Sequence, residues 1–186
     1  KFIGVDAVVS GSEKVIRSAE RLILPGVGAF ADAAARLRET GLDEAVKRRA
    51  AQGVPVMGIC LGMQLLFDQS LEYGEHRGLG LIRGTVRPIS EVIPAGLKIP
   101  HIGWNALRYR GERHPIFRHV PEGEFVYFVH SYYAANCPEA QIAVADYGAE
   151  LTAAVAKDNV CGCQFHPEKS GRVGLSILRG FCEWEG

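Results

Sequence analysis

The sequence predicts an α/β fold, a three-layer sandwich whose central sheet is mainly parallel and carries a β-rich insert. Three observations predict it. Strand-like apolar runs alternate with helical patterns in the first half of the chain, short β-like runs follow, and an amphipathic segment comes last. We expect residues 1–186 to form a single domain.

The front of the chain predicts two strands, at residues 5–9 and 21–24, with a short helix from Glu13 between them and Ser12 as its N-cap. Open α/β sheets commonly begin with a buried strand, whereas KFIGVDAVV has the pattern of a helix tail that runs into a strand. We therefore expect a domain that lacks its first strand and is N-terminally incomplete. A fold that simply starts here is the alternative.

A longer helix is predicted from Phe30 to Gln52, broken near Gly41 and stopped at Gly53. A strand and a helix then flank Cys60, and Met63, Leu66 and Phe67 recur at helical spacing in the predicted helix. The β-rich insert and the last strand comprise residues 84–89, 97–104, 125–131, 142–147, 152–156 and 160–165. The closing helix is predicted over Val173 to Trp184.

Charge and hydropathy exclude several classes of function. Lys plus Arg total 21 and Asp plus Glu total 21, so no net charge favours nucleic acid or an anionic membrane. Apolar runs are shorter than the ~20 residues of a membrane helix, and the first residues are not a signal peptide. A cytoplasmic protein with a small substrate or a neutral partner is expected.

Cysteine usage singles out one residue. The five cysteines are an odd number without a CxxC pair, which disfavours a disulfide framework and a zinc site, and we expect no metal and no cofactor. Cys161 and Cys163 fit buried positions on one face of a strand. Only Cys60 has a distinctive context.

Cys60 stands at a predicted strand-to-helix turn, Gly58-Ile59-Cys60-Leu61-Gly62. A nucleophile on such a tight elbow needs small neighbours, because larger side chains would collide there. The N–H groups of the helix that begins at Leu61 would favour the thiolate, lower its pKa and hold a developing oxyanion. A buried cysteine at an ordinary turn is the alternative.

A nucleophilic thiol needs a base, and His166 is the best placed of six histidines. It directly follows an apolar strand, and Pro167 favours an extended backbone that lets His166 and Glu168 project to the same side. Glu168 would orient the imidazole, which completes a Cys-His-acid triad. His130, at the end of another strand, is the rival base but lacks a nearby acid.

Two further segments could complete a pocket. The glycines of Leu24-Pro25-Gly26-Val27-Gly28 permit backbone conformations that aim N–H groups at a ligand, and so could supply a second oxyanion donor. The polar and aromatic groups of residues 129–133 could bind the charged ends of an amino acid. Ordinary turns are the alternative for both segments.

Five motifs together resemble a known family. LILPGVGAF, GICLGMQLLF, PHIGWN, YFVHSYY and QFHPEKS occur in this order between about Arg21 and Trp184. GICLGMQLLF with QFHPEKS resembles the triad (class I) glutamine amidotransferases, which hydrolyse the side-chain amide of glutamine. The full set is similar to the glutaminase subunits of imidazole glycerol phosphate synthase, of histidine biosynthesis.

That resemblance implies a role for each matching residue. Cys60 would be the nucleophile, His166 the acid/base and Glu168 its orienter, with oxyanion donors at Val27 and Leu61. The predicted glutamine contacts are Gly28, Gln64, Ser131 and Tyr132. Family members form a heterodimer with a (βα)₈-barrel cyclase that receives ammonia, and the residues implied to face it are His101, Trp104, Asn105 and Lys169.

Other functions use the same residues. A glutaminase that serves anthranilate, purine or pyridoxal phosphate synthesis would share the elbow, and a cysteine peptidase or other hydrolase could use the same triad. A non-catalytic binding subunit is a further alternative, which an intact triad disfavours.

Overall fold

The computed structural model describes residues 3–186; residues 1 and 2, part of the predicted helix tail, lie outside them. The helices are α1 (Glu13–Ser18), α2 (Phe30–Glu39), α3 (Leu42–Ala51), α4 (Leu61–Leu65) and α5 (Gly171–Glu183). The strands are β1 (Leu22–Leu24), β2 (Val56–Ile59), β3 (Phe67–Ser70), β4 (His76–Arg77), β5 (Ile82–Pro88), β6 (His101–Ala106), β7 (Arg108–Tyr109), β8 (Phe125–His130), β9 (Tyr132–Ala135), β10 (Gln141–Asp146), β11 (Glu150–Lys157) and β12 (Val160–Cys163).

The central sheet has six strands in the order β1-β2-β12-β11-β10-β7. β1, β2 and β12 run parallel, whereas β11, β10 and β7 continue the sheet in antiparallel pairings. The described sheet is therefore mixed, and the prediction that it is mainly parallel is wrong, because strands of the β-rich stretch extend it by antiparallel pairing. A second sheet, β4-β3-β5-β9, and the pair β6-β8 contain three of the segments predicted for the β-rich insert, 84–89, 97–104 and 125–131. Two further predicted segments, 142–147 and 152–156, form β10 and β11 and join the central sheet instead. The parallel strands end at a common edge, where residues that follow β2 and β12 meet.

The central sheet separates two apolar cores. Alternate residues of β2 face opposite sides, so Val56 packs in the core that contains residues of α2, α3 and α4, while Met57 packs in the core that contains residues of α5. All four residues of β2 are buried. The three-layer arrangement predicted from the alternating patterns is therefore present.

Two local predictions about helices are confirmed. The helical stretch after Phe30 breaks at Gly41, whose φ of 69° lies in the left-handed region that favours glycine. The second half ends before Gly53, which has a φ of 82° and donates its N–H to the carbonyl of Ala50. Ser12 lies at the N-cap position of α1, but its side chain makes no capping hydrogen bond.

Two other predictions about the elements are wrong. Residues 5–9 form no strand, and Val8 and Val9 are exposed, because no described strand lies beside them to complete a ladder. The helix after Cys60 ends at Leu65, and Phe67 begins β3 instead. This stretch is apolar on every side, so its periodicity does not separate a buried helix from a buried strand.

Candidate active site

Cys60 lies at the turn between β2 and α4, as predicted, in a strained conformation with φ 54° and ψ −113°. Its glycine neighbours permit the turn. A Cβ on Gly62 would lie 1.7 Å from the carbonyl oxygen of Leu24, and a Cβ on Gly58 would lie 2.6 Å from the backbone of Met63. The elbow therefore requires glycine at both positions, because α4 packs directly against the ends of β1 and β2.

His166 reaches the same edge of the sheet from the neighbouring strand. The N–H of Cys60 donates to the carbonyl of Cys163 at 2.8 Å, which ties the elbow to the end of β12. Three residues further on, the N–H of His166 donates to the carbonyl of Tyr127. Cys60 and His166 therefore line one cavity although more than a hundred residues separate them.

Glu168 orients the imidazole of His166. Nδ1 of His166 lies 2.7 Å from Oε1 of Glu168, and the hydroxyl of Ser170 donates to the carbonyl of His166 at 2.7 Å. The other ring nitrogen, Nε2, is buried and has no hydrogen-bond partner among the described residues. The Glu168 contact thus leaves Nε2 as the ring nitrogen that is available for chemistry in the cavity.

The cavity has a volume of about 520 Å³, which suits a small polar molecule. Besides Cys60 and His166, it is lined by other residues predicted for the site, namely Val27, Gly28, Leu61, Gln64, Ser131 and Tyr132. Glu168 does not line it and acts through His166.

Burial dominates the electrostatics of the thiol. Desolvation raises the pKa of Cys60 from its usual 9.0 to about 11, against the opposing effects of the Leu61 N–H, Lys169 and Gln164. The Leu61 N–H at the helix start lowers this pKa, as predicted, but the predicted net lowering is wrong, because the few N–H groups of the five-residue α4 do not outweigh burial. The thiol form of Cys60 is therefore favoured at neutral pH, so a nucleophilic role would require a base to take its proton.

Backbone N–H groups are available beside the sulfur. The Leu61 N–H lies close enough to Cys60 to favour its thiolate. Gly28 has a φ of 99°, and no described protein group accepts the N–H of Val27 or of Gly28. The segment of Val27 and Gly28 can therefore offer donors to a ligand in the cavity.

Gln64 is buried beneath the cavity, where its Nε2 donates to Oε1 of Gln164 at 3.0 Å and to the carbonyl of Tyr132 at 3.3 Å. These bonds use the NH₂ group of Gln64 and leave its carbonyl oxygen as a free acceptor. Ser131 and Tyr132 follow β8 at the cavity wall.

Two residues at the site, Glu72 and Gln164, were not predicted from the sequence. Glu72 lines the cavity, and its carboxylate accepts the N–H of Phe30 at 2.5 Å, where α2 begins. Gln164 is fully buried, and its Nε2 lies 3.8 Å from Sγ of Cys60. Gln164 follows the last residue of β12 and precedes His166 by two residues, and this position in the sequence could have indicated that it lies at the site.

The four residues implied to face a partner differ in their surroundings. Trp104 is 55% exposed and packs edge-on against Tyr127, and Nζ of Lys169 lies 6.0 Å from the same ring. Asn105 is half-buried and donates to the carbonyl of Asp146. The side chain of His101 is buried and stacked on Tyr147.

Neither a metal cluster nor a membrane span is found in the described part of the chain. No group of three or more His, Cys, Asp or Glu side chains within residues 3–186 could hold a metal ion. None of the helices in that range is both long and apolar enough to cross a membrane.

The fold and the site define a class of protein. Residues 6–183 match the family described as "Glutamine amidotransferase class-I", and the chain belongs to this family. A solved structure described as that of a glutamine amidotransferase matches with a TM-score of 0.72 at 20% identity, over 97% of this chain and 89% of the other. PurLQS from Thermotoga maritima matches with a TM-score of 0.64 at 21% identity, over 88% and 79% of the two chains.

Curated relatives narrow the class further. Imidazole glycerol phosphate synthase subunit HisH of Caldanaerobacter subterraneus is 48% identical over 98% of this chain and 88% of the relative. The subunit of the same name from Sulfurimonas denitrificans is also 48% identical, with the same two coverages. That of Mesorhizobium japonicum is 50% identical over 91% of this chain and 80% of the relative. Within the family, the chain groups with these HisH subunits.

Proposed function

We propose that this protein hydrolyses glutamine to glutamate and ammonia, and that a cyclase subunit uses the ammonia to make imidazole glycerol phosphate in histidine biosynthesis. One observation carries the proposal. The Cys60 thiol and the unpartnered Nε2 of His166 line one cavity, in a chain 48% identical to subunits of imidazole glycerol phosphate synthase. A cytoplasmic location fits such a biosynthetic enzyme.

The chemistry consists of two acyl transfers. Nε2 of His166 takes the thiol proton as Sγ of Cys60 attacks the carboxamide carbon of glutamine. The tetrahedral intermediate then breaks its C–N bond while His166 returns the proton to departing ammonia. Water, activated by the same imidazole, hydrolyses the γ-glutamyl thioester and releases glutamate.

The oxyanion donors we propose are the backbone N–H groups of Leu61 and Val27. Loss of one such donor raises the activation free energy by about 3 kcal/mol in enzymes that use an oxyanion hole. Gly28, with its φ of 99° and open space around its Cα, allows the neighbouring peptide to rotate toward or away from the cavity. A donor that is aligned only when the partner is loaded would suppress hydrolysis by the free subunit.

Recognition of glutamine would depend on its amino acid end. The backbone of Ser131 and Tyr132 and the free carbonyl oxygen of Gln64 are polar groups at the wall of the cavity that suit the amino acid end. Glu72 supplies a carboxylate that matches an α-ammonium group. This arrangement favours a free amino acid over a peptide, in which the α-ammonium charge is absent.

A cyclase with a (βα)₈ barrel is the proposed partner, and Trp104, Asn105 and Lys169 are the proposed contacts. Trp104 and the neighbouring Ile102 are more than half exposed on β6, which leaves an apolar surface near the triad. His101, the first residue of β6, has a buried side chain and would act through His130 and not by direct contact.

Glutamate production by the wild type and by Cys60→Ala tests the proposal, with Cys182→Ala as a matched control for a cysteine outside the cavity. We expect Cys60→Ala to abolish turnover and the control to retain it. Mass analysis after treatment with a glutamine-mimicking electrophile separates a glutaminase from a peptidase, because only a glutaminase is labelled at Cys60 in competition with glutamine. Equal hydrolysis rates with and without a ligand-loaded cyclase would contradict the proposal that an oxyanion donor is aligned only when the partner is loaded.

A further inference from the structure

An unbroken set of buried hydrogen bonds runs from β6 to the nucleophile. Nδ1 of His101 lies 3.0 Å from Nε2 of His130, and Nδ1 of His130 lies 2.8 Å from the carbonyl oxygen of Tyr132. Gln64 joins this carbonyl to Oε1 of Gln164. Nε2 of Gln164 then lies 3.8 Å from Sγ of Cys60. The four side chains that connect these groups are all buried.

The carbonyl of Tyr132 determines the direction of every bond in this set. A carbonyl oxygen only accepts, so Nδ1 of His130 must carry its proton and Gln64 must turn its NH₂ group toward Tyr132. Burial lowers the pKa of His130 to about 4, so its ring is neutral and Nε2 accepts from His101. His101 and His130 are therefore each held in the tautomer that carries its proton on Nδ1.

The orientation of the Gln164 amide follows from its contact with Gln64. Gln64 has its NH₂ group directed at Oε1 of Gln164, which can only accept. The NH₂ group of Gln164 is therefore the end that faces the sulfur. The reverse orientation would place two NH₂ groups against each other and an oxygen lone pair against Sγ.

We propose that Gln164 is a positioning residue that presents an amide N–H to the sulfur of Cys60, and that the Tyr132 carbonyl, acting through Gln64, sets the orientation of this amide. The inference rests on the proposed function only in taking Cys60 as the nucleophile. Its consequence is that the donor favours the thiolate in a site where burial opposes it. The direction of these hydrogen bonds is set by the backbone carbonyl of Tyr132, at the start of a strand beside the cavity.

The test measures the thiolate directly and needs no glutamine. Cys60 is alkylated with iodoacetamide over a range of pH, and its peptide is quantified by mass spectrometry, with the partly exposed Cys182 as an internal reference. Gln164→Met keeps the approximate length of the side chain but donates no hydrogen bond. The titratable groups around the sulfur remain in every variant: His166, Glu168, Lys169 and Cys163.

We expect Gln164→Met to slow alkylation of Cys60 about fivefold at pH 8, since a hydrogen bond to a charged group is lost. The pH profile of Cys60 should shift upward and that of Cys182 should stay unchanged. In the glutaminase assay kcat should fall more than KM rises. An unchanged Cys60 profile in a folded variant would overturn the proposal. If Gln164→Met does not fold, Gln164→Asn, which withdraws the amide by one methylene, is expected to shift the profile in the same direction.

A double-mutant cycle tests the second half of the proposal. Gln64→Met removes the group that orients Gln164, so it should also slow alkylation of Cys60. Because the effect passes through Gln164, the double variant Gln64→Met/Gln164→Met should be no slower than Gln164→Met alone. Additive effects would contradict the coupling. A failure of the proposed function would instead appear as undiminished glutamate production by Cys60→Ala.

Discussion

His166 holds its Nδ1 2.7 Å from Oε1 of Glu168, while its Nε2 is buried and has no hydrogen-bond partner within residues 3–186. A buried polar atom that lacks a hydrogen bond is rare in folded proteins, because it loses water and gains nothing in return. In the proposed mechanism, Nε2 is the atom that takes the thiol proton of Cys60, which lines the same cavity. The contact with Glu168 therefore fixes the orientation of the proposed base.

Replacement of Glu168 by Gln should lower kcat for glutamine hydrolysis by about 10- to 100-fold. The amide keeps an oxygen near Nδ1 but has no charge to stabilise the imidazolium that forms during attack. The side chain of Glu168 is half exposed, so the loss should be smaller than for a fully buried orienting carboxylate. KM should change little. A larger effect on KM than on kcat would show that Glu168 serves binding instead.

Glu72→Gln should raise KM for glutamine by about tenfold, because a carboxylate that receives the α-ammonium group loses its charge. The amide oxygen can still accept the N–H of Phe30, so the start of α2 should remain in place. Steady-state kinetics check this expectation. Glu75→Gln, at an exposed carboxylate three residues away, is the matched control and should leave KM unchanged.

Gly62→Ala should destabilise the protein by about 3 kcal/mol or more, since the added Cβ overlaps backbone that cannot move freely. That Cβ would stand 1.7 Å from the carbonyl oxygen of Leu24. Gly11→Ala is the control, because a Cβ there meets nothing within 4 Å. Urea unfolding of both variants measures the difference, and similar free energies of unfolding would contradict the packing argument at the elbow.

Acidification should destabilise the protein through its buried histidines. Burial lowers the pKa of His130 from 6.5 to about 4, so the unfolded chain binds its proton first. The contribution of His130 to stability is therefore complete above pH 6.5 and is lost as pH falls toward 4, by about 3 kcal/mol at most. Urea unfolding at a series of pH values measures this loss.

His130→Gln, which cannot titrate in this range, should show a smaller loss than the wild type. His114 provides a separate check, because burial also lowers its pKa to about 4 and it lies outside the histidine pair. His114→Gln should remove an independent share of the pH dependence. An unchanged pH dependence in His130→Gln would mean that this ring is not held neutral by burial.

Features that depend on local backbone geometry followed directly from the sequence. Gly41 and Gly53 ended helices at the expected positions, because left-handed backbone favours glycine wherever it occurs. The spacing of Gly58 and Gly62 around Cys60 identified the elbow for the same kind of reason. That Cys60 and His166 lie at the same edge of the sheet and line one cavity was also expected, but only through the assumption that both follow parallel strands.

Features that depend on distant neighbours arose only from the packing of the whole chain. Residues 5–9 have strand-like composition but no strand beside them in the described part of the chain, and His101 is buried by Phe128 and Tyr147, residues that its local sequence does not reveal. The pKa of Cys60 rises because the surrounding fold removes water, an effect that outweighs the short helix after it. Chain-local rules specify dihedral angles, whereas burial, hydrogen-bond direction and the approach of Gln164 to the sulfur arise only when remote segments pack together.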